Sequence, residues 1–243
     1  MTQWTDWETV TLIPKLGVNR VDVIAVSLDL ERPSLERLEK LLSADESSRA
    51  DRFVYAEHRR RFVVCRGVLR SFLGSHLDLD PASINLQTEK HGKPRLADRE
   101  SLDVRFNLTH SRELAVFAFA LSLEVGVDIE EIRKDRNLDE IAARYFSRRE
   151  RSELAAVSPE DRVHAFFRCW TRKEAYLKAR GDGLSVPLDS FDVTVLSEAT
   201  PALFAQDSGR WTIRTIVPEA GFVGAAVYEG ANPAVRTITY LPA

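Results

Sequence analysis

The sequence predicts an α+β fold, and three observations lead to that class. Segments with strand periodicity and helix periodicity are interspersed along the 243 residues, without the regular strand–helix–strand order that builds a parallel sheet. Two Ser-x-x-Glu capping boxes, Ser43 with Glu46 and Ser147 with Glu150, mark helix starts. Hydrophobic residues make up 44% of the chain and charged residues 29%, which is typical of a soluble globular protein.

The first half is predicted to contain a strand, three helices, a turn and two further strands. The strands are rich in β-branched and apolar residues, and the helices carry apolar residues at helical spacing. Glycine and proline place the turn. In order, these elements cover residues 21–30, 33–42, the segment after Ser43, 59–73, 91–94, 104–109 and 114–121.

The second half is predicted to begin near residues 122–124, which divides the chain into 1–122 and 123–243. A strand comes first, three helices follow, and the longest helix ends at Gly181, the residue type preferred at that position. The predicted elements cover residues 125–130, 138–146, the segment after Ser147, 160–180, 191–196, 211–217, 222–228 and 235–240.

Composition argues against several functional classes. With 34 basic and 37 acidic residues the formal net charge is −3, so a whole-chain nucleic-acid binder is not expected. Cys65 and Cys169 stand far apart without a Cys-x-x-Cys pair, which predicts two buried thiols rather than a disulfide or zinc scaffold. No apolar run reaches ~18 residues and the first residues lack a signal pattern, so a cytoplasmic protein without a membrane partner is expected.

The first unusual segment is Val-Gly-Val-Asp-Ile-Glu at residues 125–130. Strand side chains alternate between faces, so Asp128 and Glu130 share one face, with Gly126 leaving open space beside them. Adjacent carboxylates repel, which favours a bound cation or a raised pKa. Oxygen ligands of this kind suit Mg²⁺ or Mn²⁺, although a solvated strand face is the simpler interpretation of this segment alone.

The second unusual segment lies on the longest helix. Lys173 falls near the centre of its apolar face, and Glu174 and Lys178 fall at the edge of that face. Charges on the buried side of a helix are unfavourable unless each has a partner. An ion pair between Glu174 and Lys178, four residues apart, accounts for two of the charges but not for their inward direction.

Several further residues are candidates for binding an anion. Lys93 lies in the Gly-Lys-Pro turn, and Thr109 and His110 follow a strand, where a hydroxyl, an imidazole and backbone N–H groups are available. Arginines crowd the early helices, and a solvated helix face is the simpler interpretation for any one of them. These arginines are Arg49, Arg52, Arg59, Arg60, Arg61 and Arg66.

Together these segments resemble the 4′-phosphopantetheinyl transferases of the surfactin-synthetase type. That family shows a Gly-hydrophobic-Asp-x-Glu segment, matched here by residues 126–130, and a Trp-x-x-Lys-Glu-x-x-x-Lys segment, matched by 170–178. Glu174 lies 46 residues after Asp128, which is similar to the family spacing. Residues 91–94, 106–111 and 181–191 resemble three further family motifs, and the joint occurrence is more specific than any one of them.

The resemblance covers residues 45–195 and implies a fold and a reaction. The fold is a pseudo-dimer of two similar α+β halves, with coenzyme A in the cleft between them, which in turn implies a monomer. The reaction moves the 4′-phosphopantetheine arm of coenzyme A to a serine of an acyl or peptidyl carrier protein. Adenosine 3′,5′-bisphosphate is released, and the reaction depends on Mg²⁺. The sequence does not identify the carrier protein or its pathway.

The resemblance also assigns roles to residues of this chain. Asp128, Glu130 and Glu174 would hold the Mg²⁺, and Lys178 would contact the α-phosphate. The general base would be Glu174, Glu130 or a water on the metal. The remaining contacts to coenzyme A would come from Thr109 and His110 at the pyrophosphate, Lys93 and Asn107 near the nucleotide, and Arg49 or, second, Arg59 at the 3′-phosphate.

Two other functional classes agree less well with the sequence. A noncatalytic module that binds acidic proteins predicts loss of a carboxylate or of Lys178, and all four side chains are present. An unrelated Mg²⁺-dependent nucleotide hydrolase lacks support, because the chain has no Gly-x-x-x-x-Gly-Lys-Ser/Thr phosphate loop.

Overall fold

The computed structural model describes residues 3–88, 93–97, 103–134, 137–181, 183–196, 200–231 and 233–242, except for the side chains of residues 3, 4, 88 and 184. Two β-sheets pack face to face, and a long helix covers the outer face of each. Alternate residues of the central strands face either the layer between the sheets or the helix outside. Both central sheets are therefore buried on two sides, which explains their nearly continuous apolar strands.

The first half contributes three helices and most of one sheet. Its sheet has the order β2–β13–β3–β7–β6, and a separate β4–β5 hairpin precedes β6. The elements are β1 (Gln3–Trp4), β2 (Glu8–Val10), β3 (Arg20–Ser27), α1 (Arg32–Glu39), α2 (Ala44–Ala50), α3 (Ala56–Leu77), β4 (Leu86–Thr88), β5 (Pro94–Leu96), β6 (Val104–Ser111) and β7 (Leu114–Leu121).

From β3 onward the first half has one strand, three helices and four strands, and the second half repeats this order before its final strand. Its sheet has the order β1–β11–β12–β8, and the short β9 and β10 form a separate pair. The elements are β8 (Val125–Glu131), α4 (Leu138–Tyr145), α5 (Arg148–Ala156), α6 (Pro159–Arg180), β9 (Asp192–Val193), β10 (Leu203–Phe204), β11 (Trp211–Ile216), β12 (Phe222–Glu229) and β13 (Ala234–Tyr240).

The predicted α+β fold is confirmed, and both long helices have 22 residues. The two ends of the chain cross between the halves: β1 pairs with β11, and β13 inserts between β2 and β3. The boundary between 1–122 and 123–243 stays a prediction. The strand predicted at residues 191–196 is limited to the two residues of β9. Strands of two or three residues, such as β10, have too few positions for periodicity to predict them. The predictions for residues 91, 92 and 182 lie outside the described residues.

Each half contains an ion pair between its capping-box glutamate and its long helix. Arg70 Nε donates to Glu46 at 2.5 Å, and Lys173 Nζ donates to both Glu150 oxygens at 2.6 and 2.7 Å. Arg70 and Lys173 each lie fourteen residues after the first residue of their helix. Lys173 and Glu150 are both fully buried. The charge of Lys173 on the apolar face of α6 therefore has a structural partner, the Glu150 carboxylate.

Gly126 is the closest contact between β8 and α6. The open space predicted beside this glycine is wrong, because the α6 backbone fills it. A Cβ on residue 126 would lie 2.2 Å from the carbonyl oxygen of Ala175 and 2.3 Å from the amide nitrogen of Ala179. Only a residue without a side chain allows the helix this near the strand.

We expect Gly126→Ala to destabilise the protein by at least about 1–3 kcal/mol, because α6 must move away from β8. The same movement would separate α6 residues from Asp128, so activity should fall as well. Gly209→Ala is the matched control, since a Cβ there meets nothing within 4 Å. Thermal unfolding of both variants tests this, and equal melting temperatures for them would contradict the close packing.

His76 is a second unusual feature of the core. It is only 4% exposed on α3, and neither ring nitrogen has a hydrogen-bond partner. Burial lowers the pKa of His76 to about 4, and the positive charges of Lys15, Arg236 and Arg20 act in the same direction. The folded protein therefore holds this imidazole neutral.

A lowered histidine pKa makes stability depend on pH. As the pH drops, His76 of the unfolded chain binds a proton near pH 6.5, whereas His76 of the folded chain binds it only near pH 4. The stability of the folded protein therefore falls as the pH drops through this window. The loss from this group reaches about 3 kcal/mol. We expect the melting temperature of His76→Phe to fall less than that of the wild type between pH 7 and 4.5. Replacement of the exposed His164 by Gln should leave the wild-type slope unchanged.

Candidate functional site

The site is built where β8 passes between α6 and the edge strand of the opposite sheet, β6. Val125, Val127 and Ile129 point into the layer between the sheets, as predicted. Asp128 lies on the α6 side and is only 5% exposed, so it is not part of a solvated strand face. Glu130, two residues later, is half-buried.

Helix α6 brings two predicted residues to Asp128. Lys178 Nζ donates to Asp128 Oδ1 at 2.7 Å and lies 3.3 Å from the carbonyl oxygen of Val127. Glu174, one turn earlier, is close enough to Asp128, Lys178 and Glu130 for all three to change its pKa. Strand and helix therefore meet at the pair of motifs that the sequence predicts.

Strand β6 holds β8 from the other side through three side chains on one face. Asn107 Oδ1 accepts a hydrogen bond from the amide of Val127 at 2.9 Å, and Thr109 Oγ1 donates to Asp128 Oδ1 at 3.1 Å. Ser111 Oγ donates to Glu130 Oε2 at 3.0 Å. Ser111 was not among the assigned site residues, but its position two residues after Thr109 places it on the same strand face.

Two carboxylates of the site have a raised pKa. Burial raises the pKa of Asp128, although Lys178 and Thr109 act against that shift. Burial, followed by the charge of Asp128, raises the pKa of Glu174. Asp128 Oδ2 is buried and has no hydrogen-bond partner. Lys178 is paired with Asp128, and a divalent cation would neutralise the remaining negative charge of the carboxylates.

The donor set fits a hard divalent cation in its chemistry. Carboxylate oxygens are the ligands that Mg²⁺ and Mn²⁺ prefer, and Asp128 Oδ2 is available. Within the described ranges, no group of three or more His, Cys, Asp or Glu side chains is already arranged around one point. The cation in contact with Asp128 is the Lys178 ammonium.

His110 lies at the end of β6 among positive charges. Burial, then Arg61, Lys178 and His58, lowers its pKa, so the free protein favours the neutral imidazole. Basic side chains therefore face His110, and two of them, Arg61 and Lys178, each also bind a carboxylate. A phosphate group would be attracted to such a surface.

A cavity of about 570 Å³ extends from His110 towards the early helices. Every charged or titratable side chain in its lining other than Cys65 is basic or a histidine. A second cavity of about 360 Å³ continues it and shares Arg49, Phe62, Arg66 and Pro94. The first cavity is lined by Arg49, Phe53, His58, Arg61, Phe62, Cys65, Arg66, Pro94, Leu108, Thr109 and His110.

Arg49 and Arg66 both lie over the Phe62 ring, 5.2 and 5.8 Å from its centroid. Burial lowers the pKa of Arg66, and Arg49 adds to this shift, although Glu46 opposes it. One terminal nitrogen of Arg66 is buried without a partner. The two guanidinium groups thus form a place for an anion beside an aromatic ring.

Three residues that were predicted to contact the nucleotide either lie outside both cavities or form hydrogen bonds within the protein. Arg59 is outside the lining of both cavities and binds Glu39 and Asp51. Lys93 Nζ donates to the carbonyl oxygen of Lys178 at 2.9 Å near the end of α6, and Asn107 joins β6 to β8. The two buried cysteines are free, as expected.

Comparison with known proteins shows which family the sequence matches. Residues 124–227 match the model of the 4′-phosphopantetheinyl transferase superfamily, and 31–122 match that of the 4′-phosphopantetheinyl transferase N-terminal region. The chain is 38% identical to the 4′-phosphopantetheinyl transferase HetI of Nostoc sp., over 87% of this chain and 89% of that protein. It is 33% identical to Sfp of Bacillus subtilis, over 74% and 78%.

Among solved structures, a holo-(acyl-carrier-protein) synthase of Bacillus anthracis in complex with CoA (3′,5′-ADP) is 24% identical with a TM-score of 0.38. The match covers 45% of this chain and 96% of that chain. With two family models matched along most of its length, and a relative of 38% identity covered almost completely, the chain belongs to the 4′-phosphopantetheinyl transferase superfamily.

Proposed function

We propose that this transferase moves the 4′-phosphopantetheine arm of coenzyme A to a serine of an acyl or peptidyl carrier protein. One observation carries the proposal: a cavity whose charged side chains are all basic extends to Thr109 and His110, and Thr109 donates a hydrogen bond to Asp128, near Glu174 and Lys178. A polyanionic nucleotide fits the basic cavity, and phosphoryl chemistry needs the charges at its end.

The nucleotide end of coenzyme A would lie along the early helices. Arg49 is the first choice for its 3′-phosphate, with Arg66 beside it on the Phe62 ring. Arg59 was the second choice and does not line the cavity. A guanidinium pair suits a phosphate because its N–H groups match two phosphate oxygens at once.

The pyrophosphate would lie beside the C-terminal ends of β6 and α6. The Thr109 hydroxyl, the His110 imidazole and the Lys178 ammonium would contact it there. Negative charge develops on the bridging oxygen as the bond breaks, and Lys178 is a point charge able to stabilise it. The ammonium would then exchange part of its contact with Asp128 for the phosphate.

Asp128, Glu130 and Glu174 would hold Mg²⁺, with Mn²⁺ as a chemical substitute. Bound there, the metal would polarise the phosphoryl oxygens and neutralise their charge. The free Asp128 Oδ2 and the raised pKa values of Asp128 and Glu174 support this assignment. Activity should disappear in excess chelator and return when Mg²⁺ is restored.

The serine hydroxyl needs a base, and Glu174 is our first choice. Its raised pKa makes it a better proton acceptor than an ordinary carboxylate at neutral pH, with Glu130 as the alternative. Glu174 takes the proton from the serine oxygen, which attacks the phosphorus attached to pantetheine. The phosphorus–oxygen bond to the second phosphate breaks, and adenosine 3′,5′-bisphosphate leaves.

The test is to incubate a panel of apo carrier proteins with coenzyme A, Mg²⁺ and the purified protein. Mass spectrometry should show the added phosphopantetheine arm, and peptide mapping should place it on a serine. Substitution of that serine by alanine in the carrier should abolish the gain. Tight coenzyme A binding without any mass gain across the panel would contradict the transferase assignment and favour a binding module.

We further propose that the protein acts as a monomer, because a single chain contributes both the basic cavity, from its first half, and the carboxylates, from its second half. Sedimentation should give one chain per active particle, and an obligate dimer whose dissociation ends activity would contradict this.

Over the part of the chain that the structure describes, every helix is too short or too polar to cross a bilayer.

A further inference from the structure

Glu113 joins the tip of the β6–β7 hairpin to helix α3. Its carboxylate accepts hydrogen bonds from Arg61 Nη2 at 2.7 Å and from Arg60 Nη2 at 3.1 Å. Its backbone oxygen accepts another from the amide of Leu28 at 2.7 Å. Side chain and backbone together fix this turn, which directly follows His110 and Ser111 on β6.

The two arginines that Glu113 binds lie on different sides of it. Arg60 lies outside the cavity lining and also pairs with Asp29 at 3.1 Å. Arg61 lines the cavity together with His110, and its charge lowers the pKa of that imidazole. Glu113 therefore holds one arginine at the cavity and the other away from it.

Arg61 still has hydrogen-bonding capacity in this position. Its Nη2 is bound to Glu113, but its Nε is buried without a partner. A guanidinium has five N–H donors in a planar fork, so it can bind a carboxylate with one side and a phosphate with another. The hydrogen bond to Glu113 also raises the pKa of Arg61 and keeps it charged.

We propose that Arg61 binds the pyrophosphate of coenzyme A beside His110, and that Glu113 is the positioning residue that holds it there. This inference rests on the proposed function, because it uses the same ligand in the same cavity. It adds two residues to the site, one of which contacts the ligand and one of which acts through it.

The test measures binding of coenzyme A and of dephospho-coenzyme A by calorimetry, together with steady-state rates. Arg61→Ala should weaken both ligands about tenfold, the usual effect of one charge-assisted hydrogen bond. Arg49→Ala should weaken coenzyme A more than its dephospho form, since its contact is the 3′-phosphate. Glu113→Ala should raise the KM for coenzyme A about threefold at unchanged kcat, because Arg61 remains but is less well positioned.

Arg60→Ala and Asp29→Ala are the matched controls, because they break the other arm of the same network. Both should leave affinity unchanged, and the Glu113→Ala/Arg61→Ala double variant should be no weaker than Arg61→Ala alone. Equal losses in Arg60→Ala and Arg61→Ala, or unchanged affinity in Arg61→Ala, would overturn the inference. Failure of the wild type to bind coenzyme A would overturn the proposed function instead.

Discussion

Asp128→Asn should lower kcat by at least about 10²-fold and leave the protein folded. The amide keeps the shape of the side chain but removes the charge that would hold Mg²⁺ and orient Lys178. Because burial raises the pKa of Asp128, its charged form is less favourable in the folded protein than in water. Melting temperature should therefore stay unchanged or rise while activity is lost. Steady-state kinetics at saturating Mg²⁺, together with thermal unfolding, measure both effects.

Asp22→Asn is the matched control for this variant. Asp22 is a 1% exposed aspartate on β3, the strand that corresponds to β8 in the first half, and it pairs with Arg236 at 2.6 Å. Its loss should reduce stability without changing kcat per folded molecule. If Asp128→Asn instead unfolds and keeps the wild-type kcat in its folded fraction, Asp128 is a structural residue.

Lys173→Met should destabilise the protein by about 3–5 kcal/mol, the largest stability effect that we expect. The substitution leaves the Glu150 carboxylate fully buried without its cation and removes a hydrogen bond to the carbonyl oxygen of Phe191. The Glu150 side chain also accepts from the amide of Val193, so the loop after α6 loses support. Denaturant unfolding measures the loss.

The Glu150→Leu/Lys173→Met double variant separates packing from chemistry. Replacing both charges by apolar groups of similar volume should recover much of the stability, since no buried charge is left unpaired. Its kcat at a temperature where it is folded should then remain within about threefold of wild type. Recovered stability with a 10²-fold lower kcat would mean that the pair acts in the reaction as well.

The resemblance to the transferase family predicts that β8 and α6 meet, and it joins the two segments whose charges are unusual for their elements. Asp128 interrupts an apolar strand, and Glu174 and Lys178 lie at the edge of an apolar helix face. The role of Lys173 could not be read in the same way. Its partner Glu150 lies 23 residues earlier on another helix, and only the packing of α5 on α6 brings them together.

The sequence could not show which arginine lines the cavity, for a related reason. Arg59 and Arg61 are two residues apart on α3, so they point to different sides of one helix. Which side faces the cavity is decided by β6, some 50 residues away in sequence and joined to α3 through Glu113. The close packing of α6 against Gly126 could not be predicted either, because a glycine in a sequence does not indicate which backbone packs against it.

The insertion of β13 between β2 and β3 has a consequence for how the chain acquires its structure during synthesis. Arg236 on β13 binds Asp22 on β3, a contact between residues 214 positions apart. The ribosome therefore makes the whole second half before the first sheet can close, and until then one edge of β3 is unpaired. Such an edge favours association with other chains. A strand made late thus protects the earliest part of the protein from aggregation.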